Sequence, residues 1–261
     1  MLVRRFGIIQ TSRLLVPELI RETRLSRFLT RFLAGYVARF RMRDSTVLQL
    51  RPFSTDLGIF HEVWDHERYA AGSIGEVARH GTVVDIGAHI GLFSLFASRA
   101  IQAKRIVSVE PDPLNFELLA KNVSANHIED AILIEAAIAG DSGERRMHTS
   151  TSNTGGHSFY ARGDSSRLVW AVSLSDLFRS SRISECSLLK MDCEGAEMEI
   201  LENAPDELLR GVSAVSLEYH LDAYPQERLE RSKTRLESLG FIMEIRPTSK
   251  TLGILRGIRR T

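Results

Sequence analysis

The stretch that decides the fold is TVVDIGAHIG, residues 82–91, followed without a break by LFSLFASRA. Its opening run, rich in the β-branched residues Val83, Val84 and Ile86, reads as a buried strand. Gly87 and Gly91 then let the backbone turn sharply and let a helix start close to the strand end. The apolar spacing of GLFSLFASRA continues as that helix, whose first free N–H groups face the strand end. Strand, glycine turn and helix form one unit of a parallel α/β sheet.

The same rhythm runs outward from it. RIVSVE (105–110) precedes helical PLNFELLAKNVSAN (113–126), and AILIEAAIA (131–139) reads as a third strand. SLLKMD (187–192), helical GAEMEILENA, AVSLEYH (214–220), an amphipathic helix over Gln226–Leu239, FIMEIRP (241–247) and TLGILRG (251–257) complete the alternation. About seven strands with a closing hairpin predict a doubly wound sheet with an antiparallel final strand. Between Gly140 and Leu174 the pattern lapses into Gly, Ser and Thr, which predicts an inserted strand or two carrying a mobile loop. TGGHSF, with Gly155, Gly156, His157 and Ser158, reads as a rim able to close over a site.

Upstream, residues 46–64 suggest a small hairpin broken at Pro52 and at Asp56-Leu57-Gly58. Before it, Leu25, Phe28, Leu29, Phe32, Leu33, Tyr36, Val37 and Phe40 recur at helical spacing. Arg24, Arg27 and Arg31 take the other face, and Arg39, Arg41 and Arg43 cluster at the end. Residues 1–43 hold ten arginines against Glu18 and Glu22, whereas the remainder holds 24 basic and 31 acidic residues. The expected organisation is a basic amphipathic helical extension, residues 1–45, ahead of a single α/β domain, 46–261. The extension either packs its apolar stripe on that domain or rests on an anionic membrane surface.

With 34 basic and 33 acidic residues over 261 positions, the whole chain is no general nucleic-acid binder. At 43% hydrophobic and 26% charged it is neither disordered nor fibrous. Two cysteines, Cys186 and Cys193, make no disulfide framework and fit a reducing compartment. No run approaches the ~20 apolar residues of a membrane span. The expected location is cytoplasmic, with peripheral contact at the inner membrane face through residues 1–43. Zinc spacing, a P-loop and a nucleophile elbow are absent from the sequence.

In an open α/β sheet, ligands bind beyond the carboxyl ends of the strands, so the residues following each strand carry the function. Asp85, Gly87, His89 and Gly91 follow the first strand, and Glu110 follows the second, placed to accept hydrogen bonds from both hydroxyls of an adenosine ribose. A nicotinamide dinucleotide also has such a ribose. Its fingerprint, however, needs a middle glycine where His89 stands, and Asp85 would repel a pyrophosphate while pairing with a ligand ammonium. S-adenosylmethionine, with a ribose, an amino acid and no phosphate, suits both acids. An NAD(P)-dependent oxidoreductase and a non-catalytic, membrane-recruited binding module are the alternatives.

DIGAHIGLFS (85–94), VEPDPLNFELLAKNVSAN (109–126), Ser173–Leu177 and KMDCEGAE (190–197) together resemble the FkbM-type S-adenosylmethionine-dependent methyltransferases. The resemblance runs from about Gly81 to His220, with His89 and Cys193 standing where Asn and Val or Ile are more usual. It implies a class I methyltransferase (Rossmann-like) fold and O-methylation of a sugar, glycolipid, polysaccharide or secondary metabolite; from the whole-chain charge, no nucleic acid is expected as partner. It also implies that Asp85, Gly87 and Gly91 line the methionine end and Glu110 holds the ribose, with His89 departing from the usual contact. A hydroxyl acceptor must lose a proton, so a general base is expected near the sulfonium. The candidates are Asp192 and Glu194 in KMDCEGAE and Glu218 and His220 in SLEYH, the last two on one strand face and able to form a carboxylate-oriented imidazole. Glu197 is expected on the helix surface. The same group could hold Mg²⁺ or Mn²⁺, but D-x-E and E-x-H are common spacings, and no metal is expected.

Overall fold

The computed structural model describes residues 35–149, 155–160 and 165–260. The predicted helix lies largely outside them, and where its spacing enters them it does not hold. Ala38–Arg41 is a strand, β1, paired antiparallel with β2, Val47–Leu50. The hairpin therefore sits upstream of the predicted one, turning at Met42–Thr46, where Thr46 N–H donates to the Asp44 carboxylate at 3.0 Å. Asp56 does not break structure: Asp56–Phe60 is helix α1, continued by a wider helical turn over His61–Asp65. The fully buried Asp56 accepts from the Arg51 backbone N–H and guanidinium at 2.8 and 3.0 Å, a local pairing that hydropathy cannot reveal.

Helix α2 (Ser73–Ala78) leads into β3 (Thr82–Ile86), the Gly turn, α3 (Leu92–Phe96) and β4 (Arg105–Val109). Helix α4 (Pro113–Ala125) starts sharply because Asp112 accepts from the Leu114 and Asn115 N–H groups and Pro113 supplies a fixed first residue. AILIEAAIA divides at Glu135-Ala136 into β5 (Ala131–Ile134) and β6 (Ala137–Ala139). The inserted segment forms β7 (Gly143–Thr149) and β8 (Ser165–Ser173), which join β6 in a separate three-stranded sheet. The remainder runs α5 (Leu174–Ser180), β9 (Leu188–Met191), α6 (Glu197–Asn203), α7 (Asp206–Arg210), β10 (Ala214–His220), α8 (Gln226–Ser238), β11 (Phe241–Pro247) and β12 (Leu252–Arg259).

The main sheet has seven strands in the order β11-β12-β10-β9-β3-β4-β5. From β5 to β10 all neighbours are parallel, and β12 enters antiparallel between β10 and β11. This is the expected doubly wound class I arrangement with a reversed last strand. Strand alternation divides the core into two: Val83, Ile106, Leu188 and Ala214 face an aromatic layer of Phe60, Trp64, Phe93 and Phe96. Val84, Val107, Leu189 and Val215 face the opposite layer with Met198, Leu201 and Leu236. The order reverses between β3 and β9, so the crevice opens at their carboxyl ends.

Hairpin strand β2 is fastened to α4 by side chains acting as a surrogate strand. Asn126 accepts from Val47 N–H at 2.8 Å and donates to Val47 C=O at 2.6 Å; Asn122 does the same for Gln49 at 2.7 and 2.9 Å. Asn126→Ala strips both partners from buried backbone groups and is expected to lower unfolding free energy by about 2–5 kcal/mol in urea titration.

Candidate active site

Four strand ends, those of β3, β4, β9 and β10, open on one cavity of about 760 Å³. At its floor the turn after β3 is locked to both neighbours. Gly87 and Ala88 N–H groups donate to Val109 C=O at 3.0 Å each, and Asp192 N–H donates to Ile86 C=O at 3.0 Å. Gly87 has φ +70°, and a Cβ there would lie 1.8 Å from the Asp192 carbonyl oxygen, so only glycine lets the two strand ends meet.

Asp85 and Gly91 lie elsewhere than expected. Asp85 is fully buried beneath the floor, accepts from the Ser94 hydroxyl at 2.7 Å and pairs with Lys190 Nζ at 3.0 Å. The cation it balances therefore belongs to the chain, not to a ligand. Lys190 also donates to Gly87 C=O at 2.8 Å and Ile86 C=O at 3.2 Å. Gly91 is a packing glycine at the start of α3: a Cβ would meet Leu119 Cδ1 of α4 at 2.7 Å.

Glu110 stands in the cavity wall as predicted. Its carboxylate accepts from the backbone N–H of His89 at 2.8 Å and of Asp112 at 3.0 Å. Burial pushes it up to about 7 against those hydrogen bonds. His89 lines the same end, with the left-handed φ of +52° that few non-glycine residues adopt. Its Nε2 lies 3.2 Å from Arg51 and 3.4 Å from Asp56, and Arg51 also donates to Asn115 Oδ1 at 2.7 Å. Sequence reading missed this Arg51–Asp56–Asn115 network.

The four predicted acid–base residues do converge at the other end. Asp192, Glu194, Glu218 and His220 all line the cavity. Tyr69, unpredicted, donates its hydroxyl toward Asp192 Oδ2 at 2.8 Å and Glu218 Oε2 at 3.2 Å. Arg68, also unpredicted, holds Glu218 Oε1 at 2.5 Å and Glu62 at 2.6 Å. Glu218 and His220 share a strand face, yet Glu218 does not orient the imidazole. His220 instead has Nδ1 3.3 Å from Glu197 and Nε2 3.4 Å from Glu194. Glu197 is fully buried, not on the surface: its carboxylate turns inward to accept from the N–H groups of Cys193 at 2.9 Å and Gly195 at 3.0 Å.

Burial and charge crowding act together at this end. Burial and then Asp192 raise Glu194 to about 8 and Glu218 to about 7. Burial pulls His220 down, but Glu197, Glu194 and Asp192 outweigh it and hold the imidazole protonated, at about 10. Asp192 resists its own burial and stays below the usual carboxylate range because Lys190, His220 and Tyr69 surround it. One ligand atom each from Asp192, Glu218 and His220 lies within 4.8 Å of the others, so the group has the makings of a metal site. Residues 155–160 cross above the cavity: Gly155, His157, Ser158 and Phe159 line it, and the Ser158 hydroxyl donates to Glu194 C=O at 2.5 Å.

This sheet order, with a glycine turn after β3 and Glu110, Asp192, Glu194, Glu218 and His220 lining one cavity, is that of the class I methyltransferase fold. Residues 85–245, more than half of the chain, match the methyltransferase FkbM domain, and the protein belongs to that family. Methyltransferase sdnD of Sordaria araneosa is 24% identical over 182 residues, covering 57% of this chain and 69% of the relative. Methyltransferase 1 of Beauveria bassiana (strain ARSEF 2860) is 23% identical over 184 residues, covering 62% and 73%. The crystal structure of Methyltransferase FkbM from Methylobacillus flagellatus KT aligns with TM-score 0.48 at 15% identity over 69% of this chain. This chain spans 44% of that one. M. jannaschii TYW2 in complex with AdoMet aligns with TM-score 0.43 at 14% identity, covering 86% of this chain and 87% of that one.

The family decides between the two cofactors that the sequence left open in favour of S-adenosylmethionine. The lining fits it. Glu110 Oε2 accepts from the His89 N–H and has a second lone pair to offer a ribose hydroxyl, whereas Oε1 already accepts from the Asp112 N–H and, at 3.4 Å, from Asn115 Nδ2; Gly87 presents bare backbone. Among the described residues no helix is long and apolar enough to cross a membrane.

The buried His89 imidazole titrates at about 4: burial depresses it, Asp56 restores it only in part, and Arg51 adds to the fall. Between pH 6.5 and 4 the unfolded chain binds a proton that the folded one lacks, so this residue costs stability as pH falls. Asn titrates nowhere in that range and tolerates positive φ. The unfolding free energy of His89→Asn relative to wild type is expected to rise by up to about 3 kcal/mol from pH 7 to pH 4. Urea titration at both pH values checks it, and Glu110, shifted the other way, contributes to both proteins and drops out of the difference.

Proposed function

We propose that the enzyme transfers a methyl group to a hydroxyl oxygen of a small acceptor: a sugar, a glycolipid or polysaccharide, or a secondary metabolite. The observation that carries this reading is the convergence of Asp192, Glu194, Glu218 and His220 at the cavity end opposite Glu110. A hydroxyl must shed a proton to act as nucleophile, and this end supplies acceptors for it. Glu62 and Asp222 add to the negative lining, a poor surface for a phosphate-bearing polymer and an acceptable one for a neutral polyol. The cavity volume of about 760 Å³ lies in the range of small-molecule sites.

Bound S-adenosylmethionine supplies a methyl group on a cationic sulfur, a good leaving group that needs no acid assistance. The chain's task is alignment and proton removal. In this assignment Glu110 holds the ribose and the Gly87 turn admits the methionine end. Asp192, whose own backbone closes on Gly87, takes the acceptor proton. Tyr69 and Lys190 hold Asp192 ionised. Protonated His220 and Glu194 orient the acceptor hydroxyl, and residues 155–160 exclude water.

Calorimetry with S-adenosylmethionine and methyl-transfer assays over a panel of polyols, glycolipids and phenolic metabolites test the reading. Glu110→Ala is expected to weaken cofactor binding roughly 10–100-fold, the worth of one or two charged hydrogen bonds. Asp192→Asn is expected to keep cofactor affinity within about threefold and lower transfer by at least ~100-fold. Equal transfer by Asp192→Asn would remove Asp192 from the proton path, and methylation confined to amine nitrogens would overturn the hydroxyl assignment.

A further inference from the structure

We infer that Asp192, Glu218 and His220 form a divalent-cation site of the Mn²⁺ or Mg²⁺ type at the acceptor end of the cavity. Its catalytic use rests on the hydroxyl-transfer reading above; its occupancy does not. The three residues come from the ends of β9 and β10, and one ligand atom of each lies within 4.8 Å of the other two. Ligands at ~2.1 Å around an octahedral ion stand about 3 Å apart when cis and about 4.2 Å when trans. The 4.8 Å bound lies a little above the trans spacing, so small side-chain rotations would close the set around an ion.

Independent support comes from His220. Its side chain is nine-tenths buried, and Nδ1 has no hydrogen-bond partner of ordinary geometry. Its nearest carboxylate oxygens, of Glu197 and Glu194, stand 3.3 and 3.4 Å away, longer than a charge-assisted hydrogen bond. The orientation is the one a metal-ligating imidazole takes. Nδ1 lies nearest a buried carboxylate that fixes the ring, which leaves Nε2, 3.4 Å from Glu194, as the ligand nitrogen. Glu197 suits that supporting part, since it is fully buried and anchored by the Cys193 and Gly195 N–H groups before it meets His220.

Charge balance points the same way. Asp192, Glu194, Glu197 and Glu218 crowd around His220, while Lys190 is already matched by Asp85 and Arg68 is shared between Glu218 and Glu62. A dication would displace the imidazole proton of His220 and take its place in balancing these carboxylates. Oxygen ligands with one imidazole favour Mn²⁺ or Mg²⁺ over thiophilic metals. Arg68 occupies one Glu218 oxygen and leaves the other, shared with Tyr69, on the Asp192 side. An acceptor hydroxyl joining the ion would lose its proton more readily, to the Asp192 oxygen not bound to the ion, and its oxygen would take the methyl group as the methyl–sulfur bond breaks and leaves a neutral thioether.

The test is Mn²⁺ titration of the full chain, stripped with chelator, followed by the paramagnetic resonance of free hexaaqua Mn²⁺. One ion per chain is expected, with a Kd below ~100 μM, corresponding to about −5.5 kcal/mol. His220→Ala and Asp192→Asn are expected to weaken Mn²⁺ binding more than tenfold while calorimetric S-adenosylmethionine binding persists, which shows that they fold. Glu197→Gln is expected to weaken it 10–100-fold through loss of ring orientation. Glu110→Ala should lose the cofactor and keep the ion. Absence of Mn²⁺ binding, or equal binding by wild type, His220→Ala and Asp192→Asn, overturns the site. Loss of cofactor binding in wild type would strike the methyltransferase reading and leave the ion measurement standing.

Discussion

Lys190 and Asp85 meet at 3.0 Å in the interior, joining β9 to β3 at the place where strand order reverses. Two charges taken out of water are tolerated there because each has further partners: Ser94 for the carboxylate, and the carbonyls of Ile86 and Gly87 for the ammonium. Removing either partner strands a buried charge, at a cost of about 3–5 kcal/mol. The pair also shapes the site above it. By holding the Gly87 carbonyl from below, Lys190 fixes the turn on which cofactor approach depends, and its field helps to keep Asp192 ionised. Scaffold and chemistry thus share one cation.

Burial is the largest cause of the shifts at both ends of the cavity, and the ends differ in what acts beside it. At the Glu110 end, backbone N–H donors and the Arg51 network hold the buried groups. At the Asp192 end, neighbouring carboxylates raise Glu194 and Glu218 further and stabilise a protonated imidazole, while Asp192 itself stays low. Both ends place a non-glycine residue in left-handed backbone, His89 at φ +52° and Glu194 at φ +54°. Such conformations cost of order 1 kcal/mol each and persist where surrounding contacts over-determine them. Here the contacts are the Glu110 bond to His89 N–H and the Ser158 bond to Glu194 C=O.

Much of this was legible in the sequence because strand and helix periodicity is strong along β3, β4, β9 and β10, and because a residue just past a strand end has a predictable place. Glu110, Asp192, Glu194, Glu218 and His220 were found in that way. Asp85 was misjudged because the position is right but its partner comes from another strand, and no local pattern announces that Lys190 arrives beneath it. Arg51 and Tyr69 come from the segment before the sheet, whose packing against the crevice is purely tertiary. Glu197 looked like a surface acid, although an acid in the first turn of a helix, two residues after Gly195, is also the pattern of a side chain folding back on the entering loop. The break of AILIEAAIA at Glu135-Ala136 left only a polar residue as its signal.

The joint between hairpin and α4 carries a consequence of a different kind. Carboxamides present donor and acceptor together, as a peptide group does, so Asn122 and Asn126 cover the edge of β2 that β1 leaves bare. Strand edges left open invite pairing with other chains, and this one is closed from within. The closure uses uncharged groups. Acidification and salt, which redistribute protons and ions among the cavity carboxylates, act little on amide–peptide bonds, so the hairpin stays seated while the electrostatics of the chemistry change beside it.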